Sequence, residues 1–183
     1  MKDLCEVFFM TCALLVIDMQ KAIFELKQPV FEQDALLRSV KTAISIAHTS
    51  GIRIIFTKHE NKSFLKKGTP GYEIVDGIGV REDDIITEKK HPAVFLDTGL
   101  NEILKSEGIK TLFVAGLISN GCVKHACLSA MERGYTVYLL SDAHSTIYKN
   151  AARIIKDISR EMEAAGVKLL PVEQLAKLFG EIV

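Results

Sequence analysis

The sequence contains no tryptophan, only four prolines and four cysteines, and no excess of charge of either sign. Because the four cysteines form no CxxC pair, they indicate neither a disulfide framework nor a common zinc motif. Acidic and basic residues number 23 each, which gives no electrostatic reason to expect nucleic acid or a membrane as a partner. The composition leaves a small molecule as the expected partner.

Long apolar runs are also absent, since no stretch approaches the ~20 residues of a membrane-spanning helix. The first 12 residues carry one lysine and two acids around a short apolar run, which does not match a secretory signal peptide. We therefore predict a cytoplasmic protein with reduced thiols. The length of 183 residues predicts one domain over residues 1–183. Residues 1–10 either add an N-terminal extension or precede a natural start at Met10.

Continuous apolar runs alternate with helical patterns along the chain. Runs rich in Val, Ile, Leu and Phe are typical of parallel strands that are buried on both faces. The predicted strands are Ala13–Ile17, Ile52–Thr57, Asp84–Thr87, Thr111–Ala115, Thr136–Leu140 and Val167–Leu170. The predicted helices are Phe31–Thr49, Leu100–Glu107, Gly121–Arg133, Ala151–Ala165 and Val172–Phe179. This alternation predicts a single-domain, doubly wound α/β fold, Rossmann-like, with a mostly parallel six-stranded sheet and helices on both faces.

The segment from His59 to Arg81 interrupts the alternation, because it is rich in glycine and longer than an ordinary connection. Long loops in compact domains are often functional or mobile. The segment is interpreted either as a lid over the substrate or as a contact between subunits.

The stretch from Leu112 to Cys122 combines a buried strand, a turn of small residues and a cysteine at the start of a predicted helix. A helix N-terminus carries unpaired N–H groups and a partial positive charge, so a thiol placed there is expected to have a lowered pKa. The same N–H groups can bind an oxyanion. The pattern indicates a cysteine nucleophile.

Two further reactive residues follow predicted strands, Asp18 after the first and Lys89 after the third. In an open α/β sheet, ligands bind beyond the carboxyl ends of the strands, where these residues and Cys122 would meet. We predict Cys122 as nucleophile, Asp18 as general base and then acid, and Lys89 as the cation that fixes the carboxylate and favours the thiolate. The backbone N–H groups of Ile118 and Cys122 are predicted to form the oxyanion hole.

Other polar and aromatic residues near these positions are candidates for substrate binding. They are Gln20, Phe24, His91 and Ser119. Phe24 is equally well explained as a core residue, and His91 as a surface residue. Cys127 shares a helical face with apolar residues and is predicted to be buried.

Neither a metal nor a cofactor is predicted. The five histidines form no HxH or HxxxH spacing, and His59 is interpreted as a loop histidine. No GxGxxG follows the first strand, which excludes the NAD or FAD fingerprint.

Three blocks of sequence match a known family in order. They are ALLVIDMQKAIF (13–24), DIITEKKHPAVFLDTGL (84–100) and TLFVAGLISNGCVKHACLSAMERGYTVYLLSDA (111–143). By these blocks the chain resembles the isochorismatase-like cysteine hydrolases. The resemblance implies that Asp18, Lys89 and Cys122 correspond to a catalytic Asp–Lys–Cys set, and that the Leu117–Ile118 peptide bond is cis. It also implies a homodimer or homotetramer.

The chain departs from the family pattern at a few positions. Ser119 stands where threonine is common, and the residues between Lys89 and Phe95 differ from the family pattern. The resemblance therefore does not define the shape of the pocket. Lys90 is a competing candidate, but the six-residue spacing to Phe95 favours Lys89. Metal-binding relatives, the nicotinamidases, have an Asp-x-His pair, whose aspartate is absent before His59.

The sequence thus predicts an enzyme that cleaves a C–N bond of a small amide or ureido compound through a cysteine thioester. Two alternatives remain. The fold could carry another activity, such as vinyl-ether hydrolysis or thiol and redox chemistry, or it could belong to a non-catalytic binding protein.

Overall fold

The computed structural model describes residues 11–180. Its six strands are β1 (Cys12–Ile17), β2 (Arg53–His59), β3 (Ile85–Lys89), β4 (Thr111–Leu117), β5 (Thr136–Ser145) and β6 (Lys168–Leu170). All pairs between neighbouring strands are parallel, and the strand order is β3-β2-β1-β4-β5-β6. The predicted doubly wound, six-stranded α/β sheet is confirmed.

Helices cover both faces of this sheet. They are α1 (Lys21–Phe24), α2 (Gln33–Thr49), α3 (Leu100–Ser106), α4 (Lys124–Glu132), α5 (Ala151–Ala164) and α6 (Val172–Gly180). Apolar residues of α2 and α6 pack in one core cluster, and those of α3, α4 and α5 pack in a second. Cys127 lies fully buried in the second cluster, as predicted. The central strands β1 and β4 are buried at every residue because they lie between the two layers.

The direction of the strand order reverses between β1 and β4, which places a crevice at their carboxyl ends. At the edge of this crevice, Ile17 pairs with Gly116. Gly116 has a φ of +115°, and a Cβ atom there would lie 2.1 Å from the carbonyl oxygen of Ile17. Only glycine allows the two strands to approach so closely at this point.

Four strands extend further at their carboxyl ends than the sequence predicted. β2 ends at His59 rather than Thr57, and β3 ends at Lys89 rather than Thr87. β4 ends at Leu117 rather than Ala115, and β5 ends at Ser145 rather than Leu140. The residues added to β2 and β3 are polar, yet they remain paired in the parallel ladder, with His59 beside Lys89. Polar residues at the carboxyl ends of strands were interpreted as loop because the prediction relied on apolar runs.

The helix after β4 starts later than predicted. Helix α4 begins at Lys124 rather than Gly121, because Ser119–Val123 forms a wide turn in which Gly121 has φ −130° and ψ −113°. Cys122 therefore lies in this turn, two residues ahead of α4.

The segment between His59 and Arg81 is partly packed against the body of the protein. Tyr72 and Ile78 are buried, and the backbone N–H of Val75 donates to the carbonyl of Met19. Its role as a lid or a subunit contact stays a prediction.

Among the described residues, no helix combines the length and apolarity needed to cross a membrane. The predicted N-terminal extension, residues 1–10, lies outside the described part of the chain. Localisation and oligomeric state stay predictions.

Candidate active site

Asp18 follows directly after β1 and is 2% exposed. Its backbone adopts a left-handed conformation with φ 48°, which is uncommon for a residue other than glycine. The Thr57 hydroxyl donates to Asp18 Oδ1 at 2.7 Å, and the Asp18 N–H donates to the Thr57 carbonyl at 3.1 Å. Because Thr57 lies in β2 beside the end of β1, the sheet itself fixes the direction of the carboxylate.

Lys89 ends β3 and is also 2% exposed. Its Nζ donates to Asp18 Oδ2 at 2.6 Å and to Cys122 Sγ at 3.2 Å. The structure thus brings together the three residues that the sequence placed at the carboxyl edge. Lys90 is exposed, and its Nζ lies 3.9 Å from Glu60 Oε2.

Cys122 is partly exposed at the mouth of this group. Burial of the thiol and, after it, the charge of the Asp18 carboxylate together raise the pKa of Cys122 to about 12, with Lys89 opposing them. The predicted lowering of the Cys122 pKa is wrong, because desolvation and the neighbouring carboxylate outweigh the favourable charges. The environment of Cys122 therefore favours the protonated thiol.

The turn that carries Cys122 is anchored from β5 and the residue after it. The Leu117–Ile118 peptide bond is cis, as the resemblance implied. Ser119, a predicted substrate contact, is fully buried, and its hydroxyl lies 2.8 Å from His144 Nδ1. The Thr146 hydroxyl donates to the side-chain oxygen of Asn120 at 2.9 Å. Ser119 therefore holds the turn in place from behind.

His59 also belongs to this site, although the sequence prediction placed it in a loop. It is the last residue of β2 and lies in register with Lys89 on β3. His59 Nδ1 is 3.1 Å from Lys89 Nζ. Burial and the Lys89 charge lower the pKa of His59, so the ring is neutral at pH 7. The register between β2 and β3 was the signal that could have found it.

Gln20 and Phe24, two more predicted substrate contacts, lie behind the site. The Gln20 side chain is fully buried, and its Nε2 donates to the carbonyls of His59 at 3.1 Å and Tyr72 at 2.8 Å. Its Oε1 accepts the His59 N–H at 2.7 Å. Phe24 is half-buried and packs against the core cluster that includes α2. The Gln20 amide is engaged by backbone groups and braces the end of β2.

A cavity of about 600 Å³ opens beside Lys89. It is lined by Glu60, Lys67, Glu88, Lys89, Lys90, His91 and Asp97. His91, the remaining predicted substrate contact, is exposed on this wall. The walls are charged and contain partner pairs such as Lys67 with Glu88. Such a cavity suits a small polar ligand.

The side chains of Asp18, His59 and Cys122 also offer a set of potential metal ligands, with ligand atoms within 4.8 Å of one another. Carboxylate, imidazole and thiolate are ligands of zinc and similar metals. However, Lys89 Nζ is within 3.2 Å of an atom of each of the three side chains. The ammonium therefore takes the place of a cation, and the residues present do not fit a metal ion.

These features define a doubly wound α/β protein with a cysteine-bearing turn at its topological switch point. The family model described as the isochorismatase domain matches residues 12–173. The chain belongs to the isochorismatase family of hydrolases.

Several relatives illustrate this similarity. The chain is 30% identical over 142 residues to the uncharacterized isochorismatase family protein YddQ of Bacillus subtilis (strain 168), covering 75% of this chain and 79% of that protein. It is 30% identical over 150 residues to Nicotinamidase 3 of Arabidopsis thaliana, covering 73% of each. Among solved structures, the pyrazinamidase of Pyrococcus horikoshii in complex with zinc superposes with a TM-score of 0.78 at 27% identity, covering 88% of this chain and 99% of that chain.

Proposed function

We propose that this protein is a cysteine hydrolase that cleaves the C–N bond of a small amide or ureido compound through a thioester on Cys122. The observation that carries the proposal is the Lys89 ammonium, which contacts both the Asp18 carboxylate and the Cys122 sulfur. A nucleophile, a base and a cation in mutual contact are the components of nucleophilic acyl transfer. The similarity to a nicotinamidase supports an amide as the substrate.

In the first half-reaction, Cys122 Sγ attacks the carbonyl carbon while the thiol proton passes to Asp18. The resulting tetrahedral intermediate collapses, the C–N bond breaks, and Asp18 returns the proton to the leaving nitrogen. Ammonia or an amine departs, and the acyl group stays on sulfur as a thioester.

In the second half-reaction, water attacks the thioester carbonyl and gives a proton to Asp18. The C–S bond breaks, the acid product leaves, and the proton returns to the sulfur. Lys89 keeps the carboxylate and the sulfur together through both steps, because it donates to each of them. The thiol and carboxylate present at the start are restored.

The raised pKa of Cys122 fits this sequence of proton transfers. A thiol with a pKa of about 12 needs a base at the moment of attack, and an Asp18 carboxylate oxygen lies within 4.8 Å of Cys122 Sγ. The proton that Asp18 accepts is the one that the leaving nitrogen requires. A preformed thiolate would leave Asp18 without this proton.

The oxyanion is assigned to the backbone N–H groups of Ile118, just before the turn, and of Cys122, within it. The anchors behind the turn, Ser119 on His144 and Asn120 on Thr146, support a fixed geometry for these donors. Preorganised donors stabilise the oxyanion more strongly than donors that must reorient during the reaction.

Redox chemistry by a cysteine pair is less well supported. Cys127 is fully buried in a core cluster, and burial raises its pKa to about 12. A resolving cysteine reacts as a thiolate, and both the burial and the raised pKa of Cys127 disfavour that form.

The test is an ammonia-release screen over small amides and ureido acids, with wild type, Cys122→Ala and Cys127→Ala assayed side by side. We expect turnover of at least one compound by wild type and by Cys127→Ala, and none by Cys122→Ala. Ammonia release that persists in Cys122→Ala would disprove the proposal.

A further inference from the structure

We propose that His59 is a positioning residue, which holds the Lys89 ammonium in contact with Asp18 and Cys122 by accepting its third hydrogen bond. The inference rests on the proposed function for its purpose, although the geometry that supports it does not depend on the substrate.

Lys89 has one more hydrogen-bond donor than Asp18 and Cys122 can accept from. A lysine ammonium has three N–H groups and accepts no hydrogen bonds. Lys89 Nζ lies 2.6 Å from Asp18 Oδ2, 3.2 Å from Cys122 Sγ and 3.1 Å from His59 Nδ1. A buried ammonium with an unused donor would carry the desolvation penalty of that N–H group, and no contact would fix its rotation. His59 supplies the acceptor that completes the set.

The His59 ring has surroundings that favour its neutral form. The charged and titratable groups that face it are Lys89, Asp18 and His91, and its pKa is lowered mainly by burial and then by Lys89. A neutral imidazole with a bare Nδ1 can accept from the ammonium, whereas an imidazolium would repel it.

His59 is itself held in position by hydrogen bonds to Gln20. Gln20 accepts the His59 backbone N–H at 2.7 Å and donates to the His59 carbonyl at 3.1 Å, so one amide holds the residue from both sides. Gln20 follows Asp18 by two positions, and its N–H donates to the Asp18 carbonyl at 2.8 Å. The short segment after β1 therefore supplies the Asp18 carboxylate. Through Gln20, the same segment also fixes His59, which orients Lys89 toward Asp18.

The experiment measures alkylation of Cys122 by iodoacetamide between pH 7 and 10, with mass spectrometry to assign the modified cysteine. This readout requires no substrate. His59→Leu removes the acceptor, and His59→Asn keeps a side-chain oxygen that can accept. A loosely held ammonium stabilises the thiolate less, so we expect His59→Leu to react roughly three- to tenfold more slowly than wild type, since each pKa unit is a factor of ten. His59→Asn should stay within about twofold of wild type.

A His59→Leu protein that alkylates at the wild-type rate or faster would overturn the proposal, and so would a His59→Asn protein as slow as His59→Leu. A second measurement covers the case in which His59→Leu does not fold. In an NMR titration of wild-type protein, the His59 ring should carry its proton on Nε2 and titrate below its ordinary pKa. Lys89→Met should raise the His59 pKa, and Lys90→Met should leave it unchanged.

A ring protonated on Nδ1 in wild type, or a His59 pKa unaffected by Lys89→Met, would also overturn the proposal. The proposed function fails on different evidence, namely an absence of Cys122-dependent ammonia release.

Discussion

Replacing Asp18 with asparagine should separate the reactivity of the thiol from the hydrolysis of an amide. Burial contributes most to the raised pKa of Cys122, the charge of the Asp18 carboxylate adds to it, and Lys89 opposes both. The Asp18 oxygen and Cys122 Sγ are within 4.8 Å of each other. At an effective dielectric constant of ~20, two like charges at that distance repel by roughly 3.5 kcal/mol, or roughly 2.5 pKa units.

Without this repulsion the thiolate becomes more accessible, and alkylation of Cys122 at pH 8 should accelerate roughly 10- to 100-fold. Hydrolysis of an amide should move in the opposite direction. Asparagine neither accepts the thiol proton nor returns it to the leaving nitrogen, and general acid–base catalysis is worth about 10²–10⁴ in rate. The same substitution is therefore expected to speed up one reaction of Cys122 and nearly abolish the other.

The assay pairs iodoacetamide labelling, read by mass spectrometry, with ammonia release on the amide found by the screen. The matched control is Asp83→Asn, which removes an exposed carboxylate from the turn before β3, at the other end of that strand from Lys89. The control should leave both rates near wild type. Slower alkylation of Cys122 in Asp18→Asn, or amide hydrolysis that survives the substitution, would refute this reasoning.

Three further predictions concern other parts of the site and its support. Lys89→Met should lower kcat by about 10³, whereas Lys90→Met, on the cavity wall and away from Cys122, should act on KM and leave kcat within about twofold; equal losses of kcat would contradict the assignment. Gly116→Ala should lower the free energy of unfolding in urea by roughly 2–4 kcal/mol, because its Cβ would overlap the backbone of β1; an unchanged midpoint would be evidence against this packing. His144 is buried with a pKa lowered to about 4, so it charges more readily in the unfolded chain, and stability should fall by up to roughly 3 kcal/mol as pH decreases from about 6.5 to 4. Urea titrations should show that His144→Gln reduces this pH dependence and that exposed His125→Gln does not.

Most of the fold could be predicted because its information lies in local apolar runs. β1 and β4 are apolar at nearly every position, and the helices between strands have clear faces. The errors fall at the carboxyl ends of β2, β3, β4 and β5, where the ladder continues past the predicted ends, and at the start of α4. Asp18 was recognised because it follows an apolar run directly.

His59 was missed for the same physical reason. It follows two polar residues, Thr57 and Lys58, and no local pattern distinguishes such a strand end from a loop. Its meeting with Lys89 depends on the register between β2 and β3, which is a long-range property of the sheet.

The protonation state of Cys122 could not be predicted from the sequence either. Residue type and position at a helix start suggest a lowered pKa, but the value depends on how deeply the thiol is desolvated and on which charge lies nearest. In the folded chain Asp18 and burial dominate over Lys89. Likewise, the contact between Ser119 and His144 joins residues on a turn and a strand whose proximity only the packed sheet creates.

The most direct test of the account is rapid quenching of wild-type protein during turnover of an active amide, followed by mass spectrometry of the intact chain and its peptides. The account predicts a transient mass increase equal to the acyl group on the peptide that contains Cys122, with ammonia or amine released before the acid product. Turnover with no adduct on Cys122 at any time, together with simultaneous release of both products, would contradict it.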